Sequence, residues 1–497
     1  MGNKVTSNYE NYIFKYADYI IPVFVLTYSV VLTLYSTRMN RVLGWDSFYY
    51  LSYTKEMALR WPETFSTLWP KGYPFIASFL SGIGISSYFS LLLISFASLT
   101  FTFSVFVKLA KRSSISKLYV LIFLVGFLST SVSYGHLQSP WSEWLFTGLV
   151  TGSAFLFIHW PKTWAIWLSS AAVFSSFCVR YSGLFLVPLM VVFAIINFKK
   201  LKANNNIIHV GLAIGMVAIL ISCLLAVNVL QTGHLSGGSR GSGGGIGALP
   251  FHAAHMGWSF ISVVSAPQVA HFVGGVESPV GLMIGWTVLS FFLFMCIRPT
   301  LLINTKINLN PVFLVVTGYI FSLIVFRSIS SFSDLSKPRF LLPVVPLIIV
   351  LISYEYNKKI KTLIILIGVT MLSIGIFKAK SETWKIVHGD VSTARMVLDE
   401  RVERSNSVFV NGNAKRLSAY YEAHFHWVRS SNSVSEVLSS VRSADFVVFL
   451  TPESGIHGDK YSPLQSPYQE VCDRSEDIQY LNLLAKDKTG CIIKVDN

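Results

Sequence analysis

Ionisable side chains at the ends of long apolar segments are the residues best placed to do chemistry in this chain. A charge at a membrane boundary is costly unless it faces water, a counter-ion or a ligand. Asp46 comes first, in Gly44-Trp45-Asp46-Ser47-Phe48-Tyr49-Tyr50. Two readings fit it: a helix N-cap ahead of a periodic aromatic run, and a general base or metal-holding carboxylate tuned by partial desolvation. Glu143 opens another apolar segment directly after Ser142. It reads either as an acid at the positive end of a helix capped by Ser142, or as a second carboxylate facing the cavity of Asp46. Arg180 follows an apolar run and precedes Tyr181-Ser182-Gly183; it either snorkels to the interface or faces an acid or a phosphate.

Other polar groups are less specific. Between Thr232 and Gly247 the chain is glycine-dense, with Arg240 inside it. It lacks the Gly-Lys-Ser/Thr ending of a nucleotide-binding loop, and reads as a flexible linker or as a mobile lid with Arg240 as a phosphate contact. His252 and His255 follow at three-residue spacing with no acid nearby to complete a zinc pattern. Cys178, Cys223 and Cys296 lie in apolar segments as small hydrophobes. Cys472 and Cys491 pair only if their compartment is oxidising and the fold brings them together.

The elements that must position these groups are membrane spans. The chain has 497 residues, 52% of them hydrophobic and 13% charged, which excludes an ordinary soluble domain and predicts a polytopic α-helical membrane protein. Hydropathy places about eleven spans, at residues 19–36, 86–108, 117–133, 143–159, 163–179, 181–197, 207–230, 280–297, 311–329, 340–354 and 360–378. The first is expected to be retained, since no small-residue cleavage site follows it. The pair around Arg180 is short enough to be one broken or re-entrant segment.

Lys108, Lys111, Arg112, Lys117, Lys199, Lys200, Lys202, Arg298, Lys306, Lys358, Lys359 and Lys361 fall on one side of this map. The positive-inside rule makes that side cytoplasmic. Topology accounts for most of the net charge of +15 without a nucleic-acid partner. The loops holding Asp46, Glu143 and Arg339, and the chain after Phe377, are then outside. Lys337 and Arg339 run against this trend, and an anionic ligand would explain them.

Within the first outer loop, Tyr49, Tyr53, Met57 and Trp61 recur about once per turn. This predicts an interfacial helix over 46–59, then an elbow broken by Pro70 and Pro74, then a short apolar helix over 75–83. Residues 1–378 form the expected transmembrane catalytic domain. Residues 379–497 change character: strand-like runs at 407–410, 446–450 and 491–495 alternate with helix-like 414–423 and 434–442, predicting a small outer α/β domain.

This layout resembles the GT-C superfamily of membrane glycosyltransferases, especially bacterial relatives of the dolichyl-phosphate-mannose protein mannosyltransferases and of the aminoarabinose transferase. The residues carrying the likeness are Asp46 with Tyr49 and Tyr50, Lys71-Gly72-Tyr73-Pro74, Ser142-Glu143, Arg180-Tyr181-Ser182-Gly183, and Pro338-Arg339-Phe340-Leu341-Leu342-Pro343. The resemblance implies a polyprenyl-phosphate-linked sugar as donor, a glycan, lipid or protein as acceptor, and inversion at the anomeric carbon. It implies that Asp46 takes the acceptor proton, with Glu143 assisting. Lys71, Arg180 and Arg339 would hold the phosphate; Lys337 and Arg240 are further candidates from their charge and position alone. Tyr49, Tyr50, Tyr73, His252 and His255 complete the expected substrate contacts. Many relatives carry Asp-Glu where this chain has Asp46-Ser47, which weakens the case for a metal; no cofactor is assigned, and a divalent cation stays open. The competing reading is a lipid-linked glycan transporter, which should show internal repeats and mid-membrane charges; no clear repeat is present.

Overall fold

The protein is described by a computed structural model that covers residues 45–60, 70–112, 127–128, 140–235, 244–264, 275–301, 310–330, 335, 337–355, 392–411, 414–428, 433–450, 466–487 and 490–496, with isolated positions 23, 24, 27 and 31. The expected spans at 19–36, 117–133 and 360–378, and Arg240, lie largely or wholly outside these residues.

The first loop folds as two helices, α1 (Trp45–Arg60) and α2 (Gly72–Gly82). Pro74 was expected to interrupt the chain but sits in the first turn of α2, where the backbone N–H has no intrahelical partner to lose. The helical part continues with α3 (Ser87–Arg112), α4 (Glu143–Ile158), α5 (Thr163–Val179), a 3-10 turn at Tyr181–Phe185, and α6 (Leu186–Ile196). It goes on with α7 (Ile207–Thr232), α8 (Leu249–Val264), α9 (Pro279–Leu301), α10 (Asn310–Ile329) and α11 (Val345–Glu355).

Among the described residues three helices are long and apolar enough to cross a bilayer, at Ser87–Ala110, Ile207–Thr232 and Pro311–Ile329. Shorter apolar helices of 10–17 residues occupy Glu143–Ile158, Thr163–Val179, Tyr181–Ile196 and Pro279–Phe294. The break at Arg180 is local: that residue is extended, with φ −150° and ψ 131°, between α5 and the 3-10 turn.

The 232–279 stretch contains more structure than a loop. Helix α8 is buried along Ala253, Ala254, Met256, Trp258 and Phe260, and crosses α9 with the backbones nearly touching. A Cβ on Gly257 would overlap the Gly285 carbonyl, and one on Gly285 would overlap that of Ala254. Small residues at such crossings let helices approach closely enough for dispersion to hold them in lipid.

The C-terminal unit begins with α12 (Ser392–Leu398) and contains β1 (Ser407–Val410), a 3-10 helix (Ala414–Ala419), β2 (His424–Trp427), α13 (Val434–Val441), β3 (Phe446–Leu450), α14 (Ser466–Arg474), β4 (Leu481–Asp487) and β5 (Gly490–Val495). Its sheet has the order β2-β1-β3-β5-β4. β1 runs parallel to β2 and β3 in the registers Ser407 opposite His424 and Val408 opposite Phe446, while β5 is antiparallel to both its neighbours. β3 lies at the centre and is buried on both faces, which its unbroken Phe-Val-Val-Phe-Leu run allows. Phe446, Val448 and Leu450 face one core, and Val447 and Phe449 the other. Cys472 and Cys491 are joined by a disulfide, with Cα atoms 5.9 Å apart.

Candidate active site

Asp46 lies within the first turn of α1 rather than ahead of it. This is a correction to the N-cap expectation, although the positive end of the helix favours a carboxylate there all the same. Its Oδ2 stands 3.5 Å from Nη1 of Arg339, and each side chain keeps under a fifth of its surface exposed, 18% and 16%. Burial raises the Asp46 pKa above the ordinary carboxylate value of 3.8, and the charge of Glu143 raises it further; Arg339, Arg180 and Lys337 pull the other way. Desolvation is the largest influence, so Asp46 is a stronger base than an exposed aspartate.

Arg339 is held from several sides. It occupies a 3-10 turn, Pro338–Leu341, opened by a proline that pre-sets its backbone angle. Its guanidinium lies 5.3 Å from the ring centroid of Trp141 and 5.2 Å from that of Phe340. Ser259 on α8 donates to the carbonyl oxygens of Leu335 and, at 3.2 Å, of Lys337, fixing the approach to the turn. Lys337 itself is exposed.

A second ion pair lies close by. Arg180 Nη1 donates to Glu143 Oε1 at 2.6 Å, with the Glu143 side chain 2% exposed. Arg180 also packs on the Phe146 ring at 5.9 Å and lies within electrostatic reach of Tyr319, whose ring meets those of Phe146 and Phe185. Ser142 was expected to cap α4, but makes no cap hydrogen bond. Its Oγ is instead 2.9 Å from the hydroxyl of Tyr50.

Tyr50 and Tyr73 are almost fully buried, meet edge to face at 5.3 Å, and have their hydroxyl pKa values raised by burial. Tyr73 donates to the Leu91 carbonyl at 2.8 Å and lies 2.9 Å from Ser95 Oγ. Both were expected among the substrate contacts. The structure places Tyr73 with no exposed surface to offer a ligand, as a strut between α2 and α3. Tyr49 is half-buried and turns toward the C-terminal unit.

Lys71 precedes α2, with Nζ 5.3 Å from the Tyr53 ring centroid. Burial lowers its pKa to about 8, against an opposing pull from Glu56. Close packing at Gly72 fixes where Lys71 stands, because an added Cβ there would lie 2.8 Å from the backbone of Cys178, two residues before Arg180. His252 and His255 are buried on α8 beside Phe251, whose ring is 5.7 Å and 4.2 Å from theirs. Among the described residues no group of three or more His, Cys, Asp or Glu side chains is arranged to hold a metal ion.

Asp46, Glu143, Arg180, Lys337, Arg339 and Tyr50 therefore converge on one electrostatic neighbourhood. Sequence reasoning passed over Trp141, Ser259 and Tyr319. Tyr319, in the apolar run of α10, carried a weak signal as a polar tip in a span.

No protein-family model matches the chain, and comparison with curated proteins finds no match. Among solved structures, the fold is similar to that of ArnT from Cupriavidus metallidurans bound to undecaprenyl phosphate. The TM-score is 0.56 at 10% sequence identity, over 95% of this chain and 97% of that one. The apo state of the same ArnT aligns over equal shares with a TM-score of 0.47 and 11% identity.

Proposed function

We propose that this chain is a GT-C-type glycosyltransferase that moves a sugar from a polyprenyl-phosphate donor to a glycan, lipid or protein acceptor at the outer face of a bacterial inner membrane. The observation that carries the reading is the Asp46–Arg339 pair: a carboxylate made more basic by burial, 3.5 Å from a cation braced by two aromatic rings. Its support is the ArnT fold, solved in one case with undecaprenyl phosphate bound.

In the proposed reaction the acceptor hydroxyl approaches Asp46, which takes its proton as the oxygen bonds to the anomeric carbon. The bond from that carbon to the phosphate oxygen breaks, and its electron pair leaves with the polyprenyl phosphate. Attack opposite the leaving group inverts the anomeric centre. Arg339 is the first phosphate ligand in this scheme, since a guanidinium fork matches phosphate oxygens and stabilises the charge that grows on them. Drawing Arg339 toward the phosphate withdraws a charge that lowers the Asp46 pKa, so donor binding makes the base stronger when the acceptor needs it. Lys71 and Lys337 add positive charge around the headgroup. The Glu143–Arg180 pair acts on Asp46 through its charges, and residues 1–378 serve as the catalytic domain with 379–497 as an outer α/β domain.

Binding of undecaprenyl phosphate to the purified protein in nanodiscs tests the phosphate role. Arg339→Ala should weaken it roughly 10- to 100-fold, the range for losing a charge-assisted hydrogen bond. Unchanged affinity in a folded variant would retire Arg339 as a phosphate ligand.

A further inference from the structure

The C-terminal unit reaches the helix of Asp46 through a buried lysine. Lys55, further along α1, is 2% exposed. Its Nζ donates to the backbone carbonyl oxygens of Ser418 at 2.6 Å, of Tyr421, and of Ala423 at 3.4 Å, and lies 5.1 Å from the Phe425 ring centroid. An ammonium has three N–H bonds, and here three carbonyls of one short segment receive them. Phe48, two residues after Asp46, is built into the sheet core with Val408, Val410 and Leu417. On the same helix, Tyr50 and Leu51 belong to the core of the helical part. Glu422 lies in the segment that Lys55 grips, and it accepts from the N–H and Oγ of Ser87 at 3.0 and 2.7 Å, at the start of α3.

Apolar packing alone would join α1 to the sheet while leaving it free to slide or turn. A desolvated ammonium gripping three carbonyls is directional, and it loses all of its partners if the helix shifts by a fraction of a turn. We propose that Lys55 is a positioning residue: its ammonium pins α1 to residues 418–423 of the C-terminal unit and so holds Asp46 against Arg339. The C-terminal unit thereby serves as part of the catalytic scaffold. The consequence for turnover rests on the reading of Asp46 as the base; the pin itself does not.

The test uses the full chain in nanodiscs, with Lys55→Met and the milder Lys55→Gln, which keeps two N–H donors for the same carbonyls. Three quantities are read: amide hydrogen exchange along residues 46–57 relative to 87–110, affinity for undecaprenyl phosphate, and turnover of the undecaprenyl-phosphoryl sugar that the wild type uses. The expected result for Lys55→Met is α1 exchange at least about tenfold faster with α3 unchanged. Turnover falls about 100-fold, as for an ångström-scale misplacement of a reacting group, while undecaprenyl phosphate affinity stays within about twofold. A folded variant with α1 protection unchanged, or with α1 loosened and turnover intact, overturns the proposal. If Lys55→Met does not fold, Lys55→Gln decides: faster α1 exchange with reduced turnover supports it, and wild-type values for either overturn it. Asp46→Asn run in parallel separates the two claims. Normal turnover there would sink the base assignment, and α1 exchange in the Lys55 variants would still report on the pin.

Discussion

Removing the Arg180 charge tests how the buried Glu143–Arg180 pair works. Arg180→Met deletes the donor of a 2.6 Å charge-assisted hydrogen bond and leaves Glu143, with only 2% of its side chain exposed, as a carboxylate without its cation. Breaking a buried pair from one side costs about 3–5 kcal/mol. Glu143→Gln is milder, since Arg180 keeps 23% of its side chain in contact with solvent and the amide oxygen can still accept. Its expected cost is about 1–2 kcal/mol. The double variant should be less destabilised than the sum of the two, by at least about 1 kcal/mol of coupling. Thermal unfolding in detergent, followed by tryptophan fluorescence, reads all three.

The same variants act on Asp46 with opposite signs. Glu143 raises the Asp46 pKa and Arg180 lowers it. A base works only when ionised, so the acid limb of the kcat/KM profile should move to lower pH in Glu143→Gln and to higher pH in Arg180→Met. Equal small losses of stability together with unmoved acid limbs would refute the reasoning that the pair is buried, coupled and electrostatically linked to Asp46.

Other expectations follow from single groups. Lys71 has a pKa lowered to about 8, so its cation is present below that pH and lost above it. Undecaprenyl phosphate affinity should be flat to about pH 7 and fall above pH 8, and Lys71→Arg should remove that fall. Replacing Cys472 and Cys491 by serine opens a 19-residue separation closed by the disulfide. It should destabilise the C-terminal unit by about 3 kcal/mol and leave undecaprenyl phosphate affinity intact, as read by exchange and binding on the same sample. A tag after Asn497 should be reached by an impermeant reagent from outside intact spheroplasts; reach from the cytoplasm alone would reverse the topology and remove Asp46 from the outer face.

Much of this was legible in the chain because hydrophobicity is local. Helices α3, α7 and α10 stand where unbroken apolar runs place them, and the central β3 announces itself as five apolar residues between polar turns. Helix α1 was visible in its aromatic spacing. Helix α8 showed only as a possible helix at His252 and His255; its extent was hidden by the glycine-dense stretch before it, and its burial depends on a crossing with α9 that only two glycines permit. Strand β4 was missed since Leu481–Asp487 lies at the sheet edge and alternates weakly.

In the site, cations outside the positive-inside pattern drew attention to Arg339, and the structure sets it beside Asp46. The partner of Glu143 is different: nothing local ties it to Arg180, 37 positions away. Ser142 shows how a local rule loses to tertiary contact, exchanging a capping role for the hydroxyl of Tyr50, 92 positions earlier. Lys55 carried no local signal, because the carbonyls it grips are over 360 residues away.

Sugar transfer itself gives the most direct test. Wild-type protein and Asp46→Asn, both shown to be folded and inserted, would be reconstituted in proteoliposomes with undecaprenyl-phosphoryl sugars, including aminoarabinose, and a bacterial envelope extract as acceptor. Release of undecaprenyl phosphate would be followed with time. The account predicts release by the wild type with at least one sugar and none above background by Asp46→Asn, while that variant still binds undecaprenyl phosphate. Release at the wild-type rate by Asp46→Asn would contradict it.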